Sequence, residues 1–280
     1  MENYSFSLIG HPIGHTMSPP IHNMLFEINN IHASYTIYDV EPECVTQIFD
    51  NLKKESGFNI TIPHKQAIIP LLDRLDEKAE LYHSVNTVKC GKENIGYNTD
   101  WIGFTKSLES KNIGLSGKVL LCGCGGVART MATEAILSGA ELTIAVRKQS
   151  LERAEKLKKE LLEIKKDAVI VVSEDKNVKE DFDLLLNGTP CGMYPKTDSA
   201  PLDKKQISRC KNVFDSIYNP KNTLLLSLAE ANGATCVGGM SMLVRQAAAA
   251  QEIWLDVSFP EKKLLEITEK ANIIMEETFR

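Results

Sequence analysis

Two hydrophobic periods alternate along this chain. Tyr4-Ser5-Phe6-Ser7-Leu8-Ile9 and Ala33 to Val40 alternate apolar with polar residues and predict strands, and Phe58 to Ile62 predicts a third. Helical spacing fills the intervals. Ser18 is a good N-cap with Pro19 at the first helical position, and Ile21, Met24, Leu25 and Ile28 form the apolar stripe behind them. Cys44 to Lys54 is amphipathic, and a further helix carries Ile68, Leu71 and Leu72. Val85 to Val88 and Ile95 to Tyr97 flank the polar run from Lys89 to Asn94 as a hairpin would, and a helix is expected from near Trp101, where Asp100 would serve as a cap.

The second half repeats the alternation. Gly117 to Cys122 reads as a strand, the residues from about Val127 to Ser138 as a helix ended by Gly139, and Leu142 to Val146 as the next strand. Leu151 to Lys166 buries Ala154, Leu157, Leu161 and Ile164 and leaves a charged, solvated face. Strands are predicted at Ala168 to Val172, Leu184 to Asn187, Val213 to Ile217 and Ala234 to Val237, with helices at Thr223 to Asn232, Ser241 to Asp256 and Pro260 to Glu277. Strand and helix in strict turn mean an α/β fold built on parallel sheets.

Composition narrows the class of molecule. At 280 residues the chain is long enough for one large or two small domains. A net charge of -5 argues against nucleic acid or an anionic membrane as the main partner. No apolar run nears the roughly 18 residues of a membrane span, and the first ten residues lack the pattern of a leader, so a cytosolic location is expected. Seven cysteines, with Cys122 and Cys124 flanking a glycine, indicate neither a disulfide framework nor a zinc site. All six histidines fall in the first third. His11 and His15 have helical ligand spacing, but Pro12 and Gly14 lie between them and prevent that helix, and neither His22 nor His32 has an obvious second ligand, so no metal is expected.

Two stretches carry chemistry. Gly123-Cys124-Gly125-Gly126-Val127-Ala128 sits between a strand and a helix, where Gly123 permits a tight turn, Gly125 allows backbone to approach a pyrophosphate and Ala128 packs helix on strand. Past the next strand, Val146-Arg147-Lys148 places two cations where an NAD enzyme keeps a carboxylate; NADP is the expected cofactor, with Glu152 nearby leaving NAD as a weaker alternative. The other stretch is Gly57 to Lys65, an apolar strand running into a proline turn. A lysine at a strand end is partly desolvated and able to donate a proton, so Lys65 is the candidate acid/base.

Eight ordered motifs, Gly10 to Asn23 (GHPIGHTMSPPIHN), Asn59 to Lys65 (NITIPHK), Val85-Asn86-Thr87, Gly96 to Asp100 (GYNTD), Gly123 to Ala128, Asn187 to Met193 (NGTPCGM), Phe214 to Pro220 (FDSIYNP) and Gly239 to Gln246 (GMSMLVRQ), resemble the shikimate/quinate dehydrogenase family over nearly the whole chain. The resemblance implies two α/β domains: a substrate domain over 1–101, completed by C-terminal helices at 241–280, and a Rossmann-type NADP domain over 102–240. It implies Lys65 and Asp100 as the catalytic pair, with Thr16, Ser18, Thr61, Asn86, Tyr218 and Gln246 on the substrate. Gly123, Cys124, Gly125, Gly126, Val127, Arg147, Lys148, Thr189, Gly239 and Met242 would line the cofactor site, with Glu77 and Ser216 as weaker additions. The implied reaction is NADP-dependent reduction of 3-dehydroshikimate to shikimate, in aromatic amino acid biosynthesis. The expected partners are small molecules, and the chain would work as a monomer or homodimer.

Departures from the family pattern bear on the substrate. Thr16 stands where serine is usual, adding a methyl group beside the substrate carboxylate, and His83-Ser84 replace Gly-Ala. Cys124 and Val127 replace alanines of the phosphate loop. Quinate or another cyclohexane polyol acid is therefore an alternative substrate. A different class, a protein that binds a nucleotide or S-adenosylmethionine through the glycine loop, would show no reduction of NADP by shikimate.

Overall fold

A computed structural model of the protein describes residues 4–14 and 16–279. His15, half of the His11–His15 pair considered above, lies outside them. The elements in chain order are β1 (Tyr4–Gly10), α1 (Ser18–Ile28), β2 (Ala33–Asp39), α2 (Val45–Leu52), β3 (Gly57–Ile60), β4 (Arg74–Leu75), α3 (Glu77–Tyr82), β5 (Thr87–Lys89), β6 (Ile95–Tyr97) and α4 (Asp100–Glu109). They continue with β7 (Gly117–Cys122), α5 (Gly126–Leu137), β8 (Ala140–Val146), α6 (Leu151–Ile164), β9 (Ile170–Glu174), β10 (Phe182–Asn187), α7 (Lys204–Ile207), β11 (Cys210–Asp215), α8 (Leu224–Glu230), β12 (Thr235–Val237), α9 (Gly239–Leu255) and α10 (Glu261–Thr278). Two compact units result, one of Met1–Gly103 with Leu243–Arg280, the other of Phe104–Met242.

The first unit holds a mixed sheet in the order β2-β1-β3-β5-β6-β4. β1 pairs in parallel with β2 and β3, while β5 runs antiparallel to both β3 and β6, so the predicted hairpin enters the sheet against its direction. Alternation in β1 serves both faces. Ile9 packs with Val40, Phe58 and Val88, whereas Phe6 packs with Phe26 and Trp254. Trp254 brings the chain's end home: its ring stacks on Phe6 at 4.5 Å, and its Nε1–H donates to the Val88 carbonyl at 2.9 Å. Such aromatic pairs add about 0.5–1.5 kcal/mol beyond their buried area.

All six strands of the second unit are parallel, in the order β12-β11-β10-β7-β8-β9. Strand order reverses between β7 and β10, the doubly wound arrangement of dinucleotide-binding folds, and the crevice outside the strand ends at that reversal is where ligands bind. The loops leaving β7 and β10 begin at Gly123 and Gly188. Among the described residues no helix is long and apolar enough to cross a membrane.

Two local expectations are corrected. The helix expected over Ile68, Leu71 and Leu72 is a run of turns ending in a 3-10 turn at Ile69–Leu71, because Pro70 lacks the N–H that an α-helix would need there. Ser18 was expected to cap α1, yet it lies inside the helix and Thr16 Oγ1 accepts its N–H at 3.2 Å.

One departure noted in the sequence has a conformational cost. His83 follows α3 with φ 48 and ψ 48, the left-handed region, and its side chain is exposed. That region costs a residue with a Cβ about 1–2 kcal/mol and glycine almost nothing, while glycine's extra freedom when unfolded returns about 0.5–1 kcal/mol. The first effect wins. His83→Gly is expected to raise Tm by about 2 °C, measured by thermal unfolding.

Candidate active site

The sheet of the first unit dictates what meets at one edge. β1 lies between β2 and β3, so the chain leaves β1 toward α1 on one side and leaves β3 on the other, opening a crevice beyond their ends. The segment after β1 carries Thr16 and Ser18, and that after β3 carries Thr61 and Lys65. Because β5 is antiparallel to β3, its start lies at the same edge, and the Ile60 N–H donates to the Asn86 carbonyl at 2.9 Å. β6, antiparallel to β5, ends there and delivers Asn98, Thr99 and Asp100. Lys65 and Asp100, 35 positions apart in sequence, are thereby brought together.

Lys65 Nζ donates to Asp100 Oδ2 at 2.7 Å, with the lysine side chain 24% and the aspartate side chain 9% exposed. The other carboxylate oxygen, Oδ1, accepts from Asn86 Nδ2 at 2.9 Å. Asn86 is itself fixed, since its Oδ1 accepts the Thr99 backbone N–H at 2.7 Å and Nδ2 also reaches Thr99 Oγ1 at 3.0 Å. A backbone N–H can only donate, so the amide's orientation is settled. The Lys65 carbonyl is pinned by the Val85 N–H at 2.8 Å. The result is an ammonium at the mouth of a crevice, held by a carboxylate whose second oxygen is already spoken for, an arrangement able to give a proton to a carbonyl oxygen and take it back.

The other substrate candidates distribute as follows. Thr16 Oγ1 donates to Ser18 Oγ at 3.2 Å while accepting the Ser18 N–H, so the two hydroxyls are presented together at the start of α1. Thr61 follows β3 and bonds through its N–H to the Ile9 carbonyl, and Gln246 is half-buried on α9. Glu77 is exposed in the first turn of α3. Tyr218 belongs to the second unit, after β11, where burial raises its hydroxyl's pKa. Both candidate sets, substrate and cofactor, are thus divided between the units.

In the second unit the glycine loop has the form a dinucleotide needs. Gly123 takes φ +108, and a Cβ there would lie 2.9 Å from the Thr189 methyl. Gly125 is the N-cap of α5 with no side-chain cap, and a Cβ at Gly125 or Gly126 would meet no atom within 4 Å. Open space over uncapped N–H groups is a cradle for a pyrophosphate. Cys124 and Val127 pack against the core of this unit, and Met242 is buried in it. Arg147 and Lys148 follow β8, exposed and without an ion-pair partner among the described residues. The neighbouring strand ends at Glu174, level with Val146, but that carboxylate is held by Lys176 at 2.9 Å.

Asp215 organises the remaining cofactor candidates and was not singled out from the sequence. It is fully buried, which raises its pKa, and against that it accepts from Thr223 Oγ1 at 2.6 Å, Asn187 Nδ2 at 2.9 Å and the Ile217 N–H at 3.1 Å. Asn187 Oδ1 in turn accepts from Thr189 Oγ1 at 2.7 Å and its N–H at 3.0 Å, fixing the loop after β10. Ser216 donates its N–H to the Asn187 carbonyl, and a Cβ on Gly239 would sit 2.2 Å from the Ser216 carbonyl, so this glycine is required for α9 to start where it does. Polar residues at the ends of buried strands were the available signal for Asn187 and Asp215.

Two histidines have protein hydrogen-bond partners. His11 Nδ1 bonds Asp39 at 2.8 Å, and His64, fully buried, reaches the Val40 carbonyl through Nε2 at 2.6 Å. Among the described residues no group of three or more His, Cys, Asp or Glu side chains is arranged to hold a metal ion.

Residues 8–88 match the model of the shikimate dehydrogenase substrate binding domain. A shikimate dehydrogenase (NADP(+)) of Methanococcus maripaludis is 40% identical over 258 residues, 89% of this chain and 91% of that protein. One of Clostridium perfringens is 35% identical over 270 residues, 95% of this chain and 97% of its own. The crystal structure of shikimate 5-dehydrogenase from Thermus thermophilus, in complex with NADP(H) and shikimate, superposes with a TM-score of 0.86 at 27% identity, covering 96% of this chain and 99% of that one. The chain belongs to the shikimate dehydrogenase family.

Proposed function

We propose that this protein is an NADP-dependent shikimate dehydrogenase that reversibly reduces 3-dehydroshikimate to shikimate, with Lys65 as general acid/base. The observation that carries the reading is the Lys65 ammonium 2.7 Å from Asp100, whose second oxygen is engaged by Asn86. Reduction of a ketone adds a hydride to carbon and a proton to oxygen. NADPH, when bound, supplies the hydride. Lys65 gives its proton to the oxygen as negative charge develops there and recovers one from water; in reverse it takes the hydroxyl proton. Asp100 holds the ammonium in place and offsets its charge, and Asn86 keeps that carboxylate from rotating. Thr16 and Ser18 would hold the substrate carboxylate, and Thr61, Tyr218 and Gln246 its remaining polar groups. On the cofactor, Gly123, Cys124, Gly125, Gly126 and Val127 would wrap the pyrophosphate and Arg147 and Lys148 the 2′-phosphate, with Thr189, Ser216, Gly239, Met242 and Glu77 lining the rest.

Relatives named for NADP and for shikimate support this reading. The enzyme would work in the cytosol, as a monomer or homodimer, on free small molecules. The test is to supply 3-dehydroshikimate with NADPH and identify the product by mass spectrometry. Shikimate formed in step with NADPH consumed supports the proposal, and an unchanged mixture refutes it.

Thr16 decides how strictly shikimate is preferred. Its hydroxyl is tied to Ser18 through two bonds that serine would keep, so the substitution removes a methyl group alone. Thr16→Ser is expected to raise kcat/KM on shikimate relative to quinate by up to about tenfold, the usual worth of a methyl group in a pocket. An unchanged ratio between the two substrates would make the threonine neutral.

A further inference from the structure

Asn187 ends β10, Asp215 ends β11 and Thr223 caps α8, and the side chains of all three are fully buried beneath the loops that leave those strands. The proposed reaction gives none of them a part. Asp215 Oδ2 accepts from Thr223 Oγ1 at 2.6 Å, while its Oδ1 accepts from Asn187 Nδ2 at 2.9 Å and from the Ile217 N–H at 3.1 Å. Thr223 Oγ1 also accepts the Leu226 N–H at 3.2 Å. The Thr189 N–H, which can only donate, reaches Asn187 Oδ1 at 3.0 Å, so that oxygen faces Thr189 and the N–H2 of the same amide must face Asp215. The amide has one possible orientation.

The same bonds set the loops above. Asn187 Oδ1 accepts from Thr189 Oγ1 at 2.7 Å, and that oxygen in turn accepts the Cys191 N–H at 3.2 Å. Beside it the Asn187 carbonyl accepts the Ser216 N–H at 3.1 Å, and the Ile217 carbonyl accepts the Gly239 N–H at 3.0 Å. One buried carboxylate therefore fixes the loops after β10 and β11 and the start of α9. These strands lie across the β7/β10 reversal from the glycine loop and Arg147, which follow β7 and β8. A dinucleotide spans such a reversal, so with its phosphates on the β7–β8 side its nicotinamide falls over β10 to β12. We propose that the buried Asp215–Asn187 pair positions the cofactor for hydride transfer, fixing through Thr189 and Ile217 the loops that seat the nicotinamide ring. This rests on the proposed dehydrogenase reading.

The rival explanation is purely structural: the pair ties β10 to β11 and anchors α8 through its Thr223 cap. Two substitutions separate the ideas. Asn187→Asp keeps the shape and the acceptor for Thr189, but it sets two carboxylate oxygens face to face where a 2.9 Å hydrogen bond stood, and like charges drive the loop away. Adding Asp215→Asn returns an N–H2 to that gap and leaves an oxygen for Thr223, at the expense of the Ile217 N–H. Misplacement of a reacting group by about an ångström costs up to about a hundredfold in rate, so Asn187→Asp is expected to lower kcat on shikimate about tenfold or more. KM for NADP should stay near its wild-type value, because the groups proposed for the pyrophosphate and the 2′-phosphate follow β7 and β8. The double variant is expected to regain about threefold or more in kcat, the scale of coupling within one hydrogen-bond network. A structural role predicts a lower Tm with kcat at saturating NADP unchanged.

Initial rates with shikimate over a range of NADP concentrations, with thermal unfolding of each variant, decide the matter. Wild-type kcat in Asn187→Asp, or a double variant no faster than the single one, overturns the proposal. A loss confined to KM for NADP overturns it as well. If Asn187→Asp does not fold, Asn187→Ala is read the same way: it removes the amide without burying a second charge, and wild-type kcat in it overturns the proposal equally. Absence of turnover in the wild type would remove the dehydrogenase reading and this inference together, whereas a turning wild type with an unimpaired Asn187→Asp removes the inference alone.

Discussion

Replacing Lys65 by alanine is expected to lower kcat by a factor on the order of 100 or more, the range for loss of a positioned acid/base, while leaving the dissociation constant for NADP near its wild-type value. The asymmetry follows from where the groups lie. Lys65 and Asp100 are in the first unit, and the glycine loop with Arg147 and Lys148 is in the second. The substitution also leaves Asp100, a nearly buried carboxylate, with Asn86 but without its cation. Breaking such a pair costs stability as well as rate, so a lower Tm is expected alongside the lost turnover. Steady-state rates on shikimate and direct titration of NADP check both parts. A variant with near-normal turnover would remove Lys65 from the mechanism.

Arg147→Ala is expected to weaken NADP by about tenfold to a hundredfold and NAD little, because one charge-assisted hydrogen bond to a phosphate is worth roughly 1.5–3 kcal/mol. The strand tip supports a preference for the phosphate. Arg147 and Lys148 are exposed, and Glu174 on the adjacent strand, the carboxylate level with Val146, is neutralised by Lys176. An exposed guanidinium is screened by salt, so the gap between wild type and variant should narrow as ionic strength rises. Michaelis constants for both cofactors at low and high salt measure this. A wild type that prefers NAD, or a variant that loses both cofactors equally, contradicts the assignment of Arg147.

What the sequence revealed and what it hid divide along physical lines. Period-two runs such as Tyr4 to Ile9 mark a strand and its two faces, and the flanking of Gly123 by a strand and a helix marks a dinucleotide turn, because both signals are local. Direction of pairing is not local. The turn from Lys89 to Asn94 announces a hairpin, yet nothing in it says that β5 will run against β3, and that reversal brings Asn86 beside the residues after β3. The 35 positions between Lys65 and Asp100 likewise carry no sign that they meet; family resemblance paired them, and sheet geometry explains the 2.7 Å contact. Ser18 moved from the cap into the helix because a helix start can slip by one residue; Met17 takes the cap position without a side-chain bond, and Thr16 Oγ1 accepts the Ser18 N–H. Asp215 stayed hidden for another reason. It is a polar residue in an apolar setting, which marks a buried hydrogen bond without naming the partner.

The most direct test of the central claim is the initial rate of NADP reduction, followed by the near-ultraviolet absorbance of the reduced nicotinamide, with shikimate or quinate as sole donor. Rapid absorbance growth is expected with shikimate and NADP, and slower growth with quinate or with NAD. A flat trace with both donors would contradict it, and a faster trace with quinate would move the substrate assignment to that acid.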